Sequence, residues 1–116
     1  MINTAREMAI AIAKAASAKK ARDIVIMGMN GLTIAADYFV VCSANTATQV
    51  RAIADSIEEE LENEKIMFLH KEGYREGQWV LLDYGDCVAQ IFMQESREFY
   101  SLECLWSDAE FTAYED

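Results

Sequence analysis

Proline is missing from the chain, histidine occurs once, and ten basic residues stand against twenty acidic ones. Roughly five per cent proline is usual, so the turns here must rest on glycine and asparagine. A single histidine, His70, and three cysteines without a Cys-x-x-Cys pair offer no zinc ligand set at close spacing. Cys42 and Cys87 lie in apolar runs and Cys104 in a segment of helical spacing. An odd set of this kind reads as buried free thiols in a reducing compartment. Glycine-rich phosphate loops are absent. No run approaches the ~20 apolar residues of a membrane span. The alanine-rich start carries Arg6 and Glu7 early and lacks the basic-then-apolar order of a signal peptide. These features lead us to expect a cytoplasmic protein with no cofactor and no metal.

The charge is uneven. Residues 1–58 hold six basic and five acidic residues, whereas residues 59–116 hold four basic and fifteen acidic. The second half is therefore −11 within a chain of −10. Such a surface repels phosphate and disfavours direct nucleic-acid binding. It favours encounter with a basic protein, because complementary potentials raise the on-rate.

At 116 residues the chain is long enough for one domain with one core. Thr4-Ala5-Arg6-Glu7 fits a capping box, and Ala5, Met8, Ala9, Ile12 and Ala16 share a face, which predicts a helix over 4–20. Strands are expected at Asp23–Met27 and Tyr38–Ser43, with Asn30-Gly31 as a turn signal. The second of these is apolar nearly throughout, as a central strand covered on both faces would be. Thr46-Ala47-Thr48-Gln49 offers a second capping box, and Val50, Ile53, Ala54, Ile57 and Leu61 follow at helical spacing. The acidic end of that helix, Glu58 to Glu64, reads as a solvated face. A third strand is expected at Lys65–His70, then a polar loop over 71–77. Trp79–Leu82 and Cys87–Met93 form a hairpin around Tyr84-Gly85-Asp86, with Gly85 in a left-handed conformation. Phe99, Leu102, Leu105 and Trp106 recur at helical spacing. The resulting order is α-β-β-α-β-β-β-α. It predicts a mixed α/β (α+β) fold, a sheet of about five strands with helices packed on it. The domain is placed at residues 1–106, and 107–116 is expected as an acidic tail with at most a helical turn over 107–110.

Asp37, Asp83 and Asp86 fall at or near strand ends. Three acids converging there could hold two Mg²⁺ ions for nucleotidyl transfer. Gripping a triphosphate would also need basic side chains, and Gln78 to Trp106 contains only Arg97. Turn capping by each aspartate is the preferred reading.

Four stretches, taken in order, resemble the ribosomal silencing factor (Iojap) family. They are Ala36-Asp37-Tyr38-Phe39-Val40-Val41-Cys42-Ser43, Gln49-Val50-Arg51-Ala52-Ile53-Ala54-Asp55, Trp79-Val80-Leu81-Leu82-Asp83-Tyr84-Gly85-Asp86, and Gln94 through Trp106. The resemblance implies a nucleotidyltransferase-like fold without its catalytic signature. It also implies a non-enzymatic translational repressor. Such a protein binds the large ribosomal subunit through large-subunit ribosomal protein fourteen and blocks joining of the small subunit. The family usually has histidine where this chain has Gln90. Glutamine still donates and accepts hydrogen bonds but does not titrate.

Strand periodicity places Trp79, Leu81 and Asp83 on one face and Val80, Leu82 and Tyr84 on the other. On the return strand Val88, Gln90 and Phe92 oppose Cys87, Ala89, Ile91 and Met93. The expected partner-binding residues are Trp79, Asp83, Tyr84, Asp86 and Gln90, with Arg97, Tyr100 and Glu103 from the following helix; Tyr84 and Asp86 are expected to project from the hairpin tip. For Trp79, core packing competes with contact. Two other readings are an Mg²⁺-dependent nucleotidyltransferase and an acidic adaptor that pairs with itself or another protein; the alanine-rich first helix would suit a homodimer. Purified protein incubated with labelled nucleoside triphosphates and Mg²⁺ or Mn²⁺ is expected to give no transfer. Turnover abolished by Asp83→Ala would restore the enzyme reading.

Overall fold

The computed structural model describes residues 2–29, 36–100 and 109–114. The first helix, α1, runs Ala5–Ala18. Thr4 caps it, its hydroxyl accepting the Glu7 N–H at 3.1 Å. The Glu7 carboxylate reaches back one residue beyond the cap and accepts the Asn3 N–H at 2.9 Å. Strands β1 (Arg22–Gly28) and β2 (Tyr38–Ala44) follow, then α2 (Ala47–Asn63). At α2 the Thr46 hydroxyl accepts the Gln49 N–H at 3.1 Å, and Gln49 Oε1 accepts the Asn45 N–H. The Gln49 amide also donates to the carbonyls of Lys19 and Lys20, so one side chain caps α2 and fastens the end of α1.

Both helices end alike. Lys20 and Lys65 take φ of +63°, the left-handed region usually given to glycine. Ala21 N–H then bonds Ala16 O and Lys20 N–H bonds Ser17 O, while Ile66 N–H bonds Leu61 O and Lys65 N–H bonds Glu62 O. This is the Schellman pattern, with lysine tolerated where its charge meets the negative end of the helix dipole.

Beyond α2 come β3 (His70–Glu72), β4 (Trp79–Asp83), β5 (Cys87–Met93), α3 (Gln94–Tyr100) and β6 (Glu110–Ala113). The sheet has six strands in the order β3-β4-β5-β2-β1-β6. All pairs are antiparallel except β2 with β5, which run parallel in register from Tyr38↔Cys87 to Ala44↔Met93. From β2 the chain thus crosses through α2 to the far edge strand β3 and returns by β4 to β5, beside β2.

Two expectations are corrected. The third strand is three residues long and starts at His70, because the left-handed turn at Lys65 redirects the chain. Lys65–Leu69 is not strand; Ile66 and Phe68 pack on the core while Met67 and Leu69 face outward. Glu110–Ala113 is neither helical turn nor free tail. It pairs with β1 from Val25↔Ala113 to Gly28↔Glu110 and adds a sixth strand. The Asn30-Gly31 turn and residues 101–108 lie outside the described residues.

The main core lies between the helices and one sheet face. Ile12, Ala16, Ile53, Ile57 and Leu61 meet Val40, Cys42, Val80, Leu82, Ala89 and Ile91 there. Small residues on α1 let it lie close to α2, and Ser56 Oγ donates to Ala15 O at 2.9 Å between them. A smaller cluster on the opposite face holds Met27, Met29, Val41, Phe92 and Ala109.

The 73–77 loop returns the chain to β4 under tight constraint. Gly73 has φ of +79°, and a Cβ there would stand 1.9 Å from the Trp79 carbonyl oxygen. Backbone cannot yield as a flexible side chain can. Gly73→Ala is therefore expected to destabilise the fold by about 2–4 kcal/mol. Urea denaturation checks this, and an unchanged midpoint would show that the loop shifts freely.

Candidate functional site

The sheet face away from α1 and α2 is where the side chains of interest gather. Period-two alternation along β4 works as expected: Val80, Leu82 and Tyr84 are buried beneath the helices, and Trp79, Leu81 and Asp83 are half-buried on the other side. Pairing then builds rows across that face. One row runs Leu81, Gln90, Val41, Val25, and the next Asp83, Val88, Phe39, Met27. Trp79 stands opposite Phe92, and the rings stack at 4.9 Å between centroids with planes 25° apart. Such a pair adds about 0.5–1.5 kcal/mol beyond its buried area.

Trp79 is held from a second side. Its indole Nε1 donates to Gln90 Oε1 at 3.1 Å. Gln90 is only 4% exposed, so its amide serves the tryptophan from within the sheet. Trp79 is thus core and surface together: a ring fixed by Phe92 and Gln90 that remains partly accessible.

The hairpin tip differs from expectation. Gly85 has φ of +88°, and the Asp83 carboxylate accepts its N–H at 2.8 Å. Asp83 is therefore a turn-capping aspartate, with its remaining lone pairs at the edge of the Trp79 face. Asp86 is exposed. Tyr84 does not project from the tip. It follows the alternation of β4 inward, is 7% exposed and joins the main core. Its hydroxyl has no hydrogen-bond partner among the described residues. Burial first, then the carboxylates of Glu58 and Glu62, push the phenol above its ordinary range.

Arg97 is corrected as well. It is 8% exposed, and its guanidinium donates to the carbonyl of Asp23 and to Ser43 Oγ. Asp23 has φ of +49° where β1 bulges between Arg22 and Val25. Ser43 Oγ also bonds Gln94 Oε1 at 3.1 Å. Arg97, Gln94 and Ser43 thus fasten α3 to the bulged edge of β1 and β2. Tyr100 closes α3, but its side chain, like all of Glu103, lies outside the described residues.

The acidic end of α2 is partly engaged. Glu58 pairs with Lys71 Nζ at 2.7 Å, and that ammonium lies 4.0 Å from the Tyr74 ring centroid. The Tyr74 hydroxyl donates to Asp55 at 3.1 Å. Sequence periodicity could not show that this strip ties β3 to α2. Cys42 and Cys87 are both pushed up to about 12, chiefly by burial, which makes them inert thiols. Among the described residues, no group of three or more His, Cys, Asp or Glu could hold a metal ion, and no helix is long and apolar enough to cross a membrane.

Fold and face together define a small α+β protein whose mixed sheet carries two helices on one side and, on the other, a smaller buried cluster with Trp79, Leu81 and Asp83 half-buried at its β4 margin. The chain belongs to the ribosomal silencing factor family, whose members are regulatory proteins. The family model described as "Ribosomal silencing factor during starvation" matches residues 2–116. The chain is 41% identical over 97 residues to the ribosomal silencing factor of Bacillus subtilis, covering 84% of this chain and 82% of that one. A crystal structure of a Chromobacterium violaceum protein superposes with a TM-score of 0.88 at 28% identity, covering 90% and 88% of the two chains. One from Bacillus halodurans gives 0.81 at 32% identity, covering 96% and 99%.

Burial of Tyr84 reverses the expected behaviour of the hairpin tip. Tyr84→Ala is expected to cost about 3–5 kcal/mol, as for other buried aromatics. Tyr84→Phe removes only an unpartnered hydroxyl and is expected to be neutral or stabilising by up to about 1 kcal/mol. Urea midpoints of the two variants check both values, and a large loss in Tyr84→Phe would reveal a partner for the hydroxyl.

Proposed function

We propose that this protein represses translation by occlusion. It binds the large ribosomal subunit through a basic ribosomal protein, large-subunit ribosomal protein fourteen, and keeps the small subunit from joining. The action is stoichiometric and non-enzymatic, and it takes place in the cytoplasm.

The observation that carries this reading is the Trp79 face. A half-buried indole is fixed by Phe92 and Gln90 and stands beside Leu81. Rigid aromatics of this kind are typical anchors of protein interfaces, since little entropy is lost when they are covered. Glu72 and Asp83 flank Leu81 on the same face, through the pairs Glu72↔Leu81 and His70↔Asp83. With the net charge of −10, these acids suit a basic protein and repel naked RNA. Membership of the ribosomal silencing factor family supports the same direction. Gln90 and Arg97 act from below, by setting Trp79 and by fixing α3.

Purified protein is expected to pellet with isolated large subunits and to lower the yield of joined ribosomes in proportion to occupancy. Binding should weaken with salt, because exposed charges are screened over ~8 Å at physiological ionic strength. Naked large-subunit RNA should not compete. Trp79→Ala should weaken binding by about 2–4 kcal/mol. Normal joining at saturating occupancy would remove the occlusion mechanism.

A further inference from the structure

With Tyr84 in the core, the hairpin tip has no aromatic contact of its own, and another pair of apolar side chains occupies its flank. Met67 is 61% and Leu69 74% exposed, the two most exposed large apolar side chains among the described residues. The backbone forces this. Lys65 turns left-handed, Ile66 N–H returns to Leu61 O, and the following residues alternate, with Ile66 and Phe68 on the core and Met67 and Leu69 outward. The segment is held against the tip. Leu69 N–H donates to Asp83 O at 2.7 Å, and Leu69 Cδ1 lies 3.4 Å from where a Gly85 Cβ would stand. Burying two such side chains would be worthwhile in a complex and serves nothing in the free domain.

The surroundings identify the occupant. Asp83 and Asp86 flank Gly85, and Glu62 and Glu64 stand at the end of α2 just before the segment. Of the two lysines over 65–72, Lys71 is turned inward onto Glu58, which leaves Lys65, and His70 Nε2 lies 3.4 Å from Glu72. An apolar pair within an acidic rim fits a protein surface with an apolar patch bordered by lysine or arginine. A second copy of this chain would bring a like charge of −10 against it. A membrane or nucleic acid would present phosphate to carboxylate.

We propose that Met67 and Leu69, at the flank of the hairpin tip, form a second contact for the same basic large-subunit protein, joined to the Trp79 face through Asp83, whose carbonyl accepts the Leu69 N–H. This rests on the functional reading above and enlarges its interface to the hairpin tip. Met contributes an adaptable contact and Leu69 a fixed one.

The test is pelleting of the full chain with purified large subunits, alongside urea denaturation and sedimentation equilibrium. Met67→Ser with Leu69→Ser should weaken binding by about tenfold or more, leave the urea midpoint unchanged because both side chains are exposed, and leave the oligomeric state unchanged. Leu69→Met should retain binding. A double variant that binds within about twofold of the parent overturns the second contact while leaving the Trp79 reading intact. A double variant that loses self-association but not subunit binding assigns the patch to a second copy and also overturns it. Should the double variant unfold, Leu69→Lys alone decides by the same criterion. Failure of the unaltered chain to pellet removes the functional reading and this contact together.

Discussion

The parallel pairing of β2 with β5 is the constraint on which the rest of the structure depends. On one side of it lie β1 and β6, and on the other β4 and β3. Each half is antiparallel, and the two meet through this parallel pair. Parallel neighbours need a crossover, and α2 supplies part of it, which explains why its apolar stripe is buried without exception: Val50, Ile53, Ala54, Ile57 and Leu61 roof the junction. The seven registered pairs from Tyr38↔Cys87 to Ala44↔Met93 also set which residues share a face. A slip of one residue would carry Phe92 and Gln90 to the helical side and leave Trp79 without either support.

That register gives the sheet two unequal faces. One is dry and aliphatic beneath α1 and α2. The other mixes Phe92, Trp79 and Val41 with the buried amide of Gln90. A polar group inside a sheet stabilises only when satisfied, and here the indole N–H satisfies the Gln90 oxygen. The orientation of Trp79 is thus specified by one hydrogen bond and one stacked ring rather than by volume alone. A residue placed this way presents the same surface in every copy, which suits recognition better than a loop would.

Polar side chains at the margins join elements that hydrophobic burial leaves free to slide. Gln49 fastens the end of α1 while capping α2. Arg97 reaches from α3 to the bulge at Asp23, and Ser43 connects it to Gln94. Lys71 ties β3 to Glu58. Each bond links segments distant in the chain, so each fixes a relative position rather than a local conformation. At Arg97, where the contact with Ser43 is buried, removing one partner would leave a desolvated group behind, which costs more than the bond itself contributes.

Much was legible in the residues themselves. Helical spacing located α1 and α2, their hydroxyl caps marked the starts, and alternation along Trp79–Asp83 and Cys87–Met93 sorted inward from outward side chains, because these depend only on local geometry and the period of the backbone. The resemblance of four ordered stretches to the silencing factors rested on residues too, and the family follows from it. Other features were not readable locally. Lys20 and Lys65 in left-handed conformations carry no sequence signal like that of glycine. Lys65–Leu69 has a strand's composition yet is not one, since the turn before it diverts the chain. Glu110–Ala113 becomes a strand only because β1 offers a free edge. Tyr84 looks like a tip residue until α2 covers it, and Arg97 like a surface cation until the β1 bulge turns a carbonyl toward it. For Glu110–Ala113, Tyr84 and Arg97 the residue's own preferences were weak and a partner far along the chain decided the outcome.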